Sequence, residues 1–357
     1  MAATVADVVG ESRVVVCTGS GGVGKTTVSA ALALQAARTG RRAAVITIDP
    51  ARRLADALGL GSLTNEPTRI AGDWDGELWA MMLDTKQTFD ELITTYAAEP
   101  AQAERILDNR YYRNLSEALS GTREFMAMEK LYELTNDARF DLVVVDTPPT
   151  RNAIDFVDAP DLLTRFLRGR LFRMVVGSRM AKAVNATLQL FLRQIARVVS
   201  PEVVEDTITF LQAFEGMEEG FRDRADRVAE LLADPRTSFV LVAAPRPEVV
   251  QEALDFTELL AERGLEVRSL VINRVHPSFG TDVDLVALNN ERPRLAGTHA
   301  APSLAAFDHL TRIAAAEAAQ LDPLSAAVGD VPEVRIPLLD DDVHDLGGID
   351  RVRAFLG

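Results

Sequence analysis

The segment GSGGVGKT at residues 19–26 constrains the fold more than any other feature of the sequence. It stands between a β-branched run, RVVVCT at 13–18, and a stretch of helical character over 25–39 that Gly40 closes. A strand, a glycine-rich turn and a helix in this order form a loop whose backbone N–H groups can surround phosphate oxygens. The segment therefore predicts a phosphate-binding loop at the carboxyl end of a buried strand.

The rest of the chain alternates strand-like and helix-like segments. This alternation predicts a doubly wound α/β fold with a mainly parallel sheet and helices on both faces. Ligands of such sheets bind at the carboxyl ends of the strands. Residues 277–300 are rich in turn formers and predict a loop. The further predicted strands are 43–47, 78–83, 141–146, 238–244, 267–272 and 333–339.

Two long stretches do not alternate. Residues 85–137 and 153–235 have helical periodicity and few strand signals. We therefore expect a single P-loop domain over residues 1–357, with a mainly helical subdomain formed by these two stretches and inserted around the 141–146 strand.

Composition and charge exclude several classes of function. The net charge of −15 argues against nonspecific binding of nucleic acid or anionic membrane by the whole chain. No apolar run approaches the ~20 residues of a membrane-spanning helix, and the N-terminal residues lack the layout of a secretory signal. Cys17 is the single cysteine, so an intrachain disulfide is impossible. We expect a cytoplasmic protein that does not bind nucleic acid.

The loop residues predict a site for a nucleoside triphosphate and Mg²⁺. Lys25 would place its charge between the β- and γ-phosphates, and the hydroxyl of Thr26 would complete the coordination of Mg²⁺. The predicted nucleotide-binding residues of this segment are Gly19, Ser20, Gly21, Gly22, Val23, Gly24, Lys25, Thr26 and Thr27.

Two acidic residues follow predicted strands. Asp146 ends the run DLVVVD, the usual place for the acid that holds Mg²⁺ through water. Asp49 follows the 43–47 strand, where a carboxylate can orient or deprotonate the attacking water. Taken alone, either residue is as readily an ordinary strand-end or turn aspartate. A phosphate loop in the same chain favours the functional interpretation of both.

Several segments together resemble the ArsA-type ATPases. That family joins the arsenite-pump ATPases to the ATPases that target tail-anchored membrane proteins. The resemblance extends from about residue 13 to the end of the chain, and it is weaker in the predicted helical subdomain. The segments that carry it are GSGGVGKTT, TIDPARRL, VVVDTPPT, LVINR and RIPLLDDDVHDLGG.

The resemblance implies an ATPase that works as a dimer and closes around two ATP molecules. It implies that Asp49, in a first switch loop, activates water. It implies that Asp146 and the following TPPT form a second switch, which couples the nucleotide state to the helical subdomain. It also implies that the side-chain amide of Asn273 reads adenine, because an amide offers both a donor and an acceptor.

The sequence departs from the family pattern in its switch and metal-binding residues. Arg151-Asn152 stands where the second switch usually continues with Gly-His, which leaves the coupling open. A three-thiolate metalloid site is impossible with Cys17 alone, so we expect no arsenite transport. The C-x-x-C pair that holds zinc in the eukaryotic targeting members is absent, so we expect no zinc site.

The second loop position is a further departure. The family has a lysine there, which reaches the phosphates bound by the other subunit, whereas this chain has Ser20. A symmetric homodimer would therefore lack that cation at both sites. We expect an unlike ArsA-type partner that carries the lysine. The alternative is that one of the switch-loop arginines, Arg52, Arg53 or Arg151, replaces it.

The segment 160–200 gives the one indication of what else the chain binds. It carries eight basic side chains and one acid, Asp161, and it contains an apolar helix face over 180–195. Such a helix can contact a membrane surface, an apolar client or lipid, or its own core. The leading hypothesis is an ATP-hydrolysing switch that handles an apolar client. The alternatives are a catalytically weak subunit that completes a partner's site, and a spatial organiser of the partitioning or septum-placing kind.

Overall fold

The computed structural model describes residues 3–49, 53–109, 122–148, 157–158, 216–277, 290 and 293–357. Within these residues, eight strands form one sheet. The strands are β1 Val14–Thr18, β2 Arg42–Thr47, β3 Thr68–Ile70, β4 Glu77–Met82, β5 Leu142–Asp146, β6 Thr237–Ala243, β7 Val267–Val275 and β8 Glu333–Pro337. Their order across the sheet is β3-β4-β2-β5-β1-β6-β7-β8.

The sheet is mainly parallel, as predicted. β1 pairs in parallel with β5 on one side and β6 on the other, and β2, β7 and β8 continue the parallel pairing outward. β3 and β4 form an antiparallel pair at one edge. The doubly wound α/β prediction is confirmed. Because parallel strands share one direction, the loops after β1, β2 and β5 all emerge at the same edge of the sheet.

The described residues contain ten helices. They are α1 Val5–Glu11, α2 Lys25–Arg38, α3 Arg53–Ala57, α4 Thr85–Tyr96, α5 Pro100–Leu107, α6 Thr122–Asn136, α7 Glu218–Ala233, α8 Pro247–Glu262, α9 Ala300–Val328 and α10 Leu346–Arg353. No helix among the described residues is both long and apolar enough to cross a membrane.

The strand and helix on either side of the predicted phosphate loop form the centre of the core. Every residue of β1 is buried, as expected of a strand covered on both faces of a parallel sheet. α2 is buried around most of its circumference and packs against α10 as well as the sheet. A helix that is buried all round needs apolar or small residues on every face, which its sequence supplies. The loop between β1 and α2 is therefore fixed at both ends.

The chain divides into two compact units. The first comprises Met1–Met81, Asp137–Ile154 and Pro235–Gly357 and contains the sheet. The second comprises Met82–Asn136 and Asp155–Asp234, and its described residues form α4, α5, α6 and α7. The predicted inserted subdomain stays a prediction, because most of 153–235 lies outside the described residues.

The structure differs from the predicted elements in three places. The short strand β3 gives no apolar run, since two of its three residues are exposed at the sheet edge. The helix α9 was not predicted; only Asp308, Leu321 and Leu324 of its residues are buried, so no regular apolar face marks it, and it contains Pro323. The loop predicted over 277–300 falls mainly outside the described residues, but at 293–295 the backbone is helical, and there the prediction was wrong.

Arg41 ties together the edge of the sheet opposite the loop. Its guanidinium donates hydrogen bonds to the backbone carbonyls of Val9 at 2.5 Å, Ser12 at 2.6 Å and Asp141 at 2.7 Å. These carbonyls lie at the end of α1 and just before β1 and β5. One side chain therefore satisfies three acceptors that neither a helix nor the sheet ladder uses.

We expect Arg41→Ala to lower the free energy of unfolding by about 2 kcal/mol, because it leaves three carbonyls without their charged donor. The neighbouring Arg42 is a matched control, since its guanidinium pairs with the Asp141 carboxylate at 2.7 Å while 44% of its side chain is exposed. We expect Arg42→Ala to cost clearly less, because solvent screens its ion pair. Urea unfolding measures both values, and an equal cost for the two variants would contradict this account of Arg41.

Candidate active site

The loop after β1 has the backbone shape that its glycines allow. Gly19 and Gly24 both have positive φ angles, of 150° and 94°. A Cβ at Gly19 would overlap the carbonyl oxygen of Val242, and one at Gly24 would overlap the amide of Asn273. Glycine is therefore required at both positions for packing as well as for conformation. α2 begins at the next residue, so the positive end of the helix faces the loop.

The side chain of Lys25 folds back over the loop. Its ammonium group donates hydrogen bonds to the carbonyls of Gly19 and Ser20, each at 2.9 Å. The residue is 7% exposed, and burial lowers the pKa of its amine, while the nearby Asp146 carboxylate opposes that shift. A phosphate entering the loop can take over the ammonium from these neutral carbonyls, because an anion is the stronger acceptor.

Asp146 is a buried carboxylate at the end of β5. Its Oδ2 accepts hydrogen bonds from the hydroxyls of Thr26 at 2.7 Å and Thr47 at 2.8 Å. Its Oδ1 is buried and has no hydrogen-bond partner among the described residues. Burial raises the pKa of Asp146 to about 6, against the hydrogen bonds from the two threonines and the charge of Lys25. One carboxylate oxygen is thus left open to accept a hydrogen bond or to bind a cation.

Thr47 belongs to this cluster, although the sequence analysis did not single it out. It ends β2 and lies directly opposite Asp146 in the parallel register of β2 and β5. Its hydroxyl also accepts the backbone N–H of Asp49 at 3.3 Å, at the start of the next loop. In the sequence, Thr47 is only a hydroxyl residue at a strand end. Its contact with Asp146 can be inferred once β2 and β5 are known to be neighbours.

A cavity of about 510 Å³ lies over the loop, within the range of small-molecule sites. It brings together Lys25, Thr26, Asp49 and Asp146, four of the residues predicted to act on the phosphates or on Mg²⁺. Its full lining is Gly21, Gly22, Gly24, Lys25, Thr26, Thr27, Asp49, Arg53, Asp56, Ala57, Asp146, Thr147, Arg274 and Val343.

The donor set of this cavity suits a nucleoside triphosphate with Mg²⁺. The loop amides and Lys25 offer donors to phosphates, and Thr26 with the open oxygen of Asp146 offers oxygen ligands. Mg²⁺ in nucleotide sites takes one or two protein oxygens and fills its shell with water and phosphate. Among the described side chains, no group of three or more His, Cys, Asp or Glu residues could hold a metal ion.

The carboxylate of Asp49 lines the cavity from the β2 side. Its Oδ2 lies 3.4 Å from the guanidinium of Arg53, at the start of α3, and 29% of its side chain is exposed. A half-buried carboxylate beside the phosphate loop can contact water, as its predicted role requires. Of the three arginines considered as replacements for the missing lysine, Arg53 lines the cavity, whereas Arg52 and Arg151 lie outside the described residues.

Other predicted residues lie behind the loop rather than on the cavity wall. Ser20 is 3% exposed, and its hydroxyl oxygen is buried with no hydrogen-bond partner among the described residues. Asn273 is 9% exposed, and its amide donates to the carbonyl of Val23 at 2.8 Å. Its amide oxygen accepts the backbone N–H of Arg274 at 2.9 Å. Adenine recognition by Asn273 stays a prediction.

We expect Asp146→Asn to stabilise the fold at high pH. A carboxyl whose pKa is raised on folding stabilises below its unfolded pKa and loses that contribution as the pH rises through about 6. The shift corresponds to about 3 kcal/mol at neutral pH, at about 1.4 kcal/mol per pKa unit. The variant should therefore match the wild type near pH 4 and exceed it at pH 8 in the free energy of unfolding.

Asp141→Asn is a control that should change the free energy of unfolding in the opposite direction, because hydrogen bonds from Arg42 lower the pKa of Asp141 to about 2. This variant should lose stability at pH 8, by less than the gain at Asp146, since Asp141 is solvent-screened. Urea unfolding at pH 4 and pH 8 measures both. A gain for Asp146→Asn that does not grow with pH would contradict the assignment of a buried, reluctantly ionised carboxylate.

Comparison with known proteins shows that this chain is similar to several ATPases. The family model described as "Anion-transporting ATPase" matches residues 12–291. An ATPase ASNA1 homolog of Babesia bovis is 27% identical over 72% of this chain and 64% of its own length. The arsenical pump-driving ATPase of Acidiphilium multivorum is 28% identical over 76% of this chain and 40% of its own length. ATPase GET3 of Malassezia globosa is 26% identical over 75% of this chain and 74% of its own length.

The chain thus spans less than two thirds of the first two of these relatives and about three quarters of the third. The family match covers the phosphate loop, Asp49, Asp146 and Asn273. With a family match over most of its length, the chain belongs to the ArsA-type, or anion-transporting, ATPase family.

Proposed function

We propose that this chain is an ATP-hydrolysing switch that works as a dimer of ArsA-type subunits. One observation carries the proposal: the phosphate loop, its lysine and a buried carboxylate with an open oxygen line the same cavity as Asp49. Family membership and the names of the relatives, all ATPases, support it.

In this mechanism, side chains of the cavity bind the phosphates, hold Mg²⁺ or activate water. The loop amides and Lys25 bind and orient the phosphates, and Thr26 with Asp146 would hold Mg²⁺, the latter through water. Bound there, Mg²⁺ would neutralise the phosphate charge that develops in phosphoryl transfer. Asp49 accepts a proton from the attacking water, or aligns it, at its carboxylate. The hydroxyls of Thr26 and Thr47 keep the Asp146 carboxylate fixed.

The client is the finer part of the proposal. We infer that the nucleotide state controls an apolar client, a membrane-protein segment or lipid, held by the helical unit. The basic, amphipathic segment 160–200 supports this inference from its sequence alone, since it lies outside the described residues. We place the protein in the cytoplasm, with peripheral contact as its mode of meeting a membrane.

The dimer partner is a further part of the proposal. The neutral Ser20 leaves a homodimer without a trans cation, so we propose an unlike ArsA-type subunit that supplies its own lysine to this site. The site otherwise keeps every residue expected to act on phosphate, Mg²⁺ or water, which argues that it functions. These residues are Lys25, Thr26, Asp49 and Asp146.

The central test separates binding from turnover. Asp49→Asn should bind ATP with unchanged affinity yet lose turnover by about 10²–10⁴-fold, as expected on removal of a general base. Lys25→Ala should lose both, because the ammonium group binds the phosphates themselves. Asp75→Asn, an exposed acid between β3 and β4, is the charge-matched control and should behave as the wild type.

Calorimetry with MgATP and a phosphate-release assay provide the two measurements. Should Asp49→Asn lose ATP affinity while the bound fraction turns over at the normal rate, Asp49 would be structural rather than catalytic. Normal turnover in Lys25→Ala would remove the basis for the whole proposal.

A second test concerns Ser20. The isolated chain should turn over far below ~1 s⁻¹, the lower part of ordinary enzyme rates. A lysine-bearing ArsA-type partner should raise turnover by about 10³–10⁵-fold, the effect of a trans cation in related phosphoryl transfer. Ser20→Lys should raise the rate of the isolated chain in the same direction, while Ser20→Ala should leave it unchanged. A wild-type rate near ~1 s⁻¹ without partner would contradict the unlike dimer.

A further inference from the structure

The phosphate loop is held from its outer side by residues at the end of β7. The guanidinium of Arg274 donates a hydrogen bond to the carbonyl of Gly22 at 3.0 Å. The amide of Asn273 donates to the next carbonyl, that of Val23, at 2.8 Å. Two successive peptide groups of the loop are thus each anchored by one side chain of the neighbouring strand end.

A third anchor comes from the segment after β6. The guanidinium of Arg246, just before α8, approaches the carbonyl of Gly21 at 3.4 Å. Gly21, Gly22 and Val23 are consecutive, so three carbonyls in a row accept from outside the loop. We call Arg246, Asn273 and Arg274 the carbonyl clamp.

The backbone of β7 is distorted where the clamp begins. Arg274 has a φ of 61°, the one positive value of a non-glycine residue in the described part of the chain. The register between β7 and β8 shifts between Ile272 and Val275, which is the mark of an irregular, bulged strand. Bulges re-aim side chains next to active sites, and unfavourable backbone angles persist where the surroundings hold them. Here the distorted residue of β7 is Arg274, whose guanidinium contacts the phosphate loop.

Peptide geometry converts these carbonyl bonds into an effect on the nucleotide. The peptide group is planar, and in the trans form its C=O and N–H point in opposite directions. Holding the carbonyls of Gly21, Gly22 and Val23 outward therefore turns the N–H groups of the following residues toward the inside of the loop. Those N–H groups are the ones that a phosphate-binding loop offers to its ligand.

We propose that Arg274 is a positioning residue for ATP, which together with Asn273 and Arg246 fixes the phosphate loop in its binding shape before nucleotide arrives. The inference rests on the proposed ATP site. Arg274 also lines the cavity, but the clamp bonds the carbonyl oxygens of the loop rather than its N–H groups, so these bonds need not break when phosphates bind. By contrast, the two bonds from Lys25 to the carbonyls of Gly19 and Ser20 must be exchanged for phosphate.

The proposal predicts that Asn273 affects nucleotide affinity differently from a residue that recognises adenine. A residue that braces the loop affects every nucleoside triphosphate equally, because it acts on the phosphate site. A residue that reads adenine changes the ratio of ATP to GTP affinity. Asn273→Ala should therefore weaken MgATP and MgGTP by similar factors.

The test uses Arg274→Gly and Arg274→Gln in the full chain. Glycine accepts the positive φ of this position without strain, so Arg274→Gly should keep a melting temperature equal to or above that of the wild type. Both variants should bind MgATP and MgGTP about 10-fold more weakly, with unchanged kcat at saturation, because a charge-assisted hydrogen bond that preorganises the site is lost. Arg268→Gln, which removes an exposed charge near the other end of β7, should match the wild type.

Backbone order parameters, measured by NMR relaxation without nucleotide, test the clamp independently of ATP binding. The amides of residues 22–24 should be as ordered as those of β1 in the wild type and in Arg268→Gln, and less ordered in both Arg274 variants. Unchanged order parameters in those variants would overturn the proposal, whether affinity is kept or lost, since lost affinity would then mean that Arg274 binds the phosphates directly. A fall in kcat at unchanged affinity would overturn it as well, since Arg274 would then act on the transition state. A wild type that shows the ordered loop but no ATP binding would refute the proposed function and leave the clamp standing.

Discussion

The hydrogen bonds that end on the carboxylate of Asp146 bring three neighbouring strands together into one site. β5 lies between β1 and β2, and the parallel register sets Asp146 directly opposite Cys17 on one side and Thr47 on the other. The hydroxyl of Thr26, in the first turn of α2, donates to the same carboxylate oxygen of Asp146 as the hydroxyl of Thr47. This contact fixes the phosphate loop and the Asp49 loop relative to the end of β5.

This arrangement has a thermodynamic cost. A carboxylate that is 1% exposed loses its hydration, and two hydroxyl donors compensate for one of its two oxygens. The raised pKa of Asp146 is the measure of that imbalance. Burial in the empty site thus shifts Asp146 toward the protonated acid, whereas a divalent cation bound beside it would shift it toward the carboxylate. Cation binding and the ionisation of this residue are linked through that difference.

The sequence predicted those parts of the molecule in which local pattern and burial agree. All seven predicted strands are present. The central ones, β1, β5 and β6, are fully buried, and a strand buried on both faces needs a continuous apolar run such as VVVCT in β1. The loop glycines were predictable for a similar reason, since Gly19 and Gly24 leave no room for a side chain. By contrast, β3 and α9 bury few residues, and without a buried face the sequence lacks the pattern on which prediction depends.

Residues that act across strands were harder to predict. Thr47 becomes part of the site through the register of β2 and β5, which the linear sequence does not contain. Arg274 contacts the phosphate loop from a residue 252 positions away, through a strand distortion with no sequence signature. Asn273 was predicted as a nucleotide residue from family resemblance, and the structure adds a contact to Val23 that the resemblance did not contain.

The position of Cys17 has a practical consequence for following this protein in motion. It is the single cysteine of the chain, it lies fully buried in β1, and burial raises the pKa of its thiol to about 12. Reactivity toward labelling reagents depends on the exposed thiolate, so the native thiol is inert in the folded protein. A cysteine introduced on the surface would then be the sole attachment point for a fluorophore or spin label, with no background substitution required. Distances within the sheet unit, and between two copies of the chain, become measurable in the otherwise native sequence.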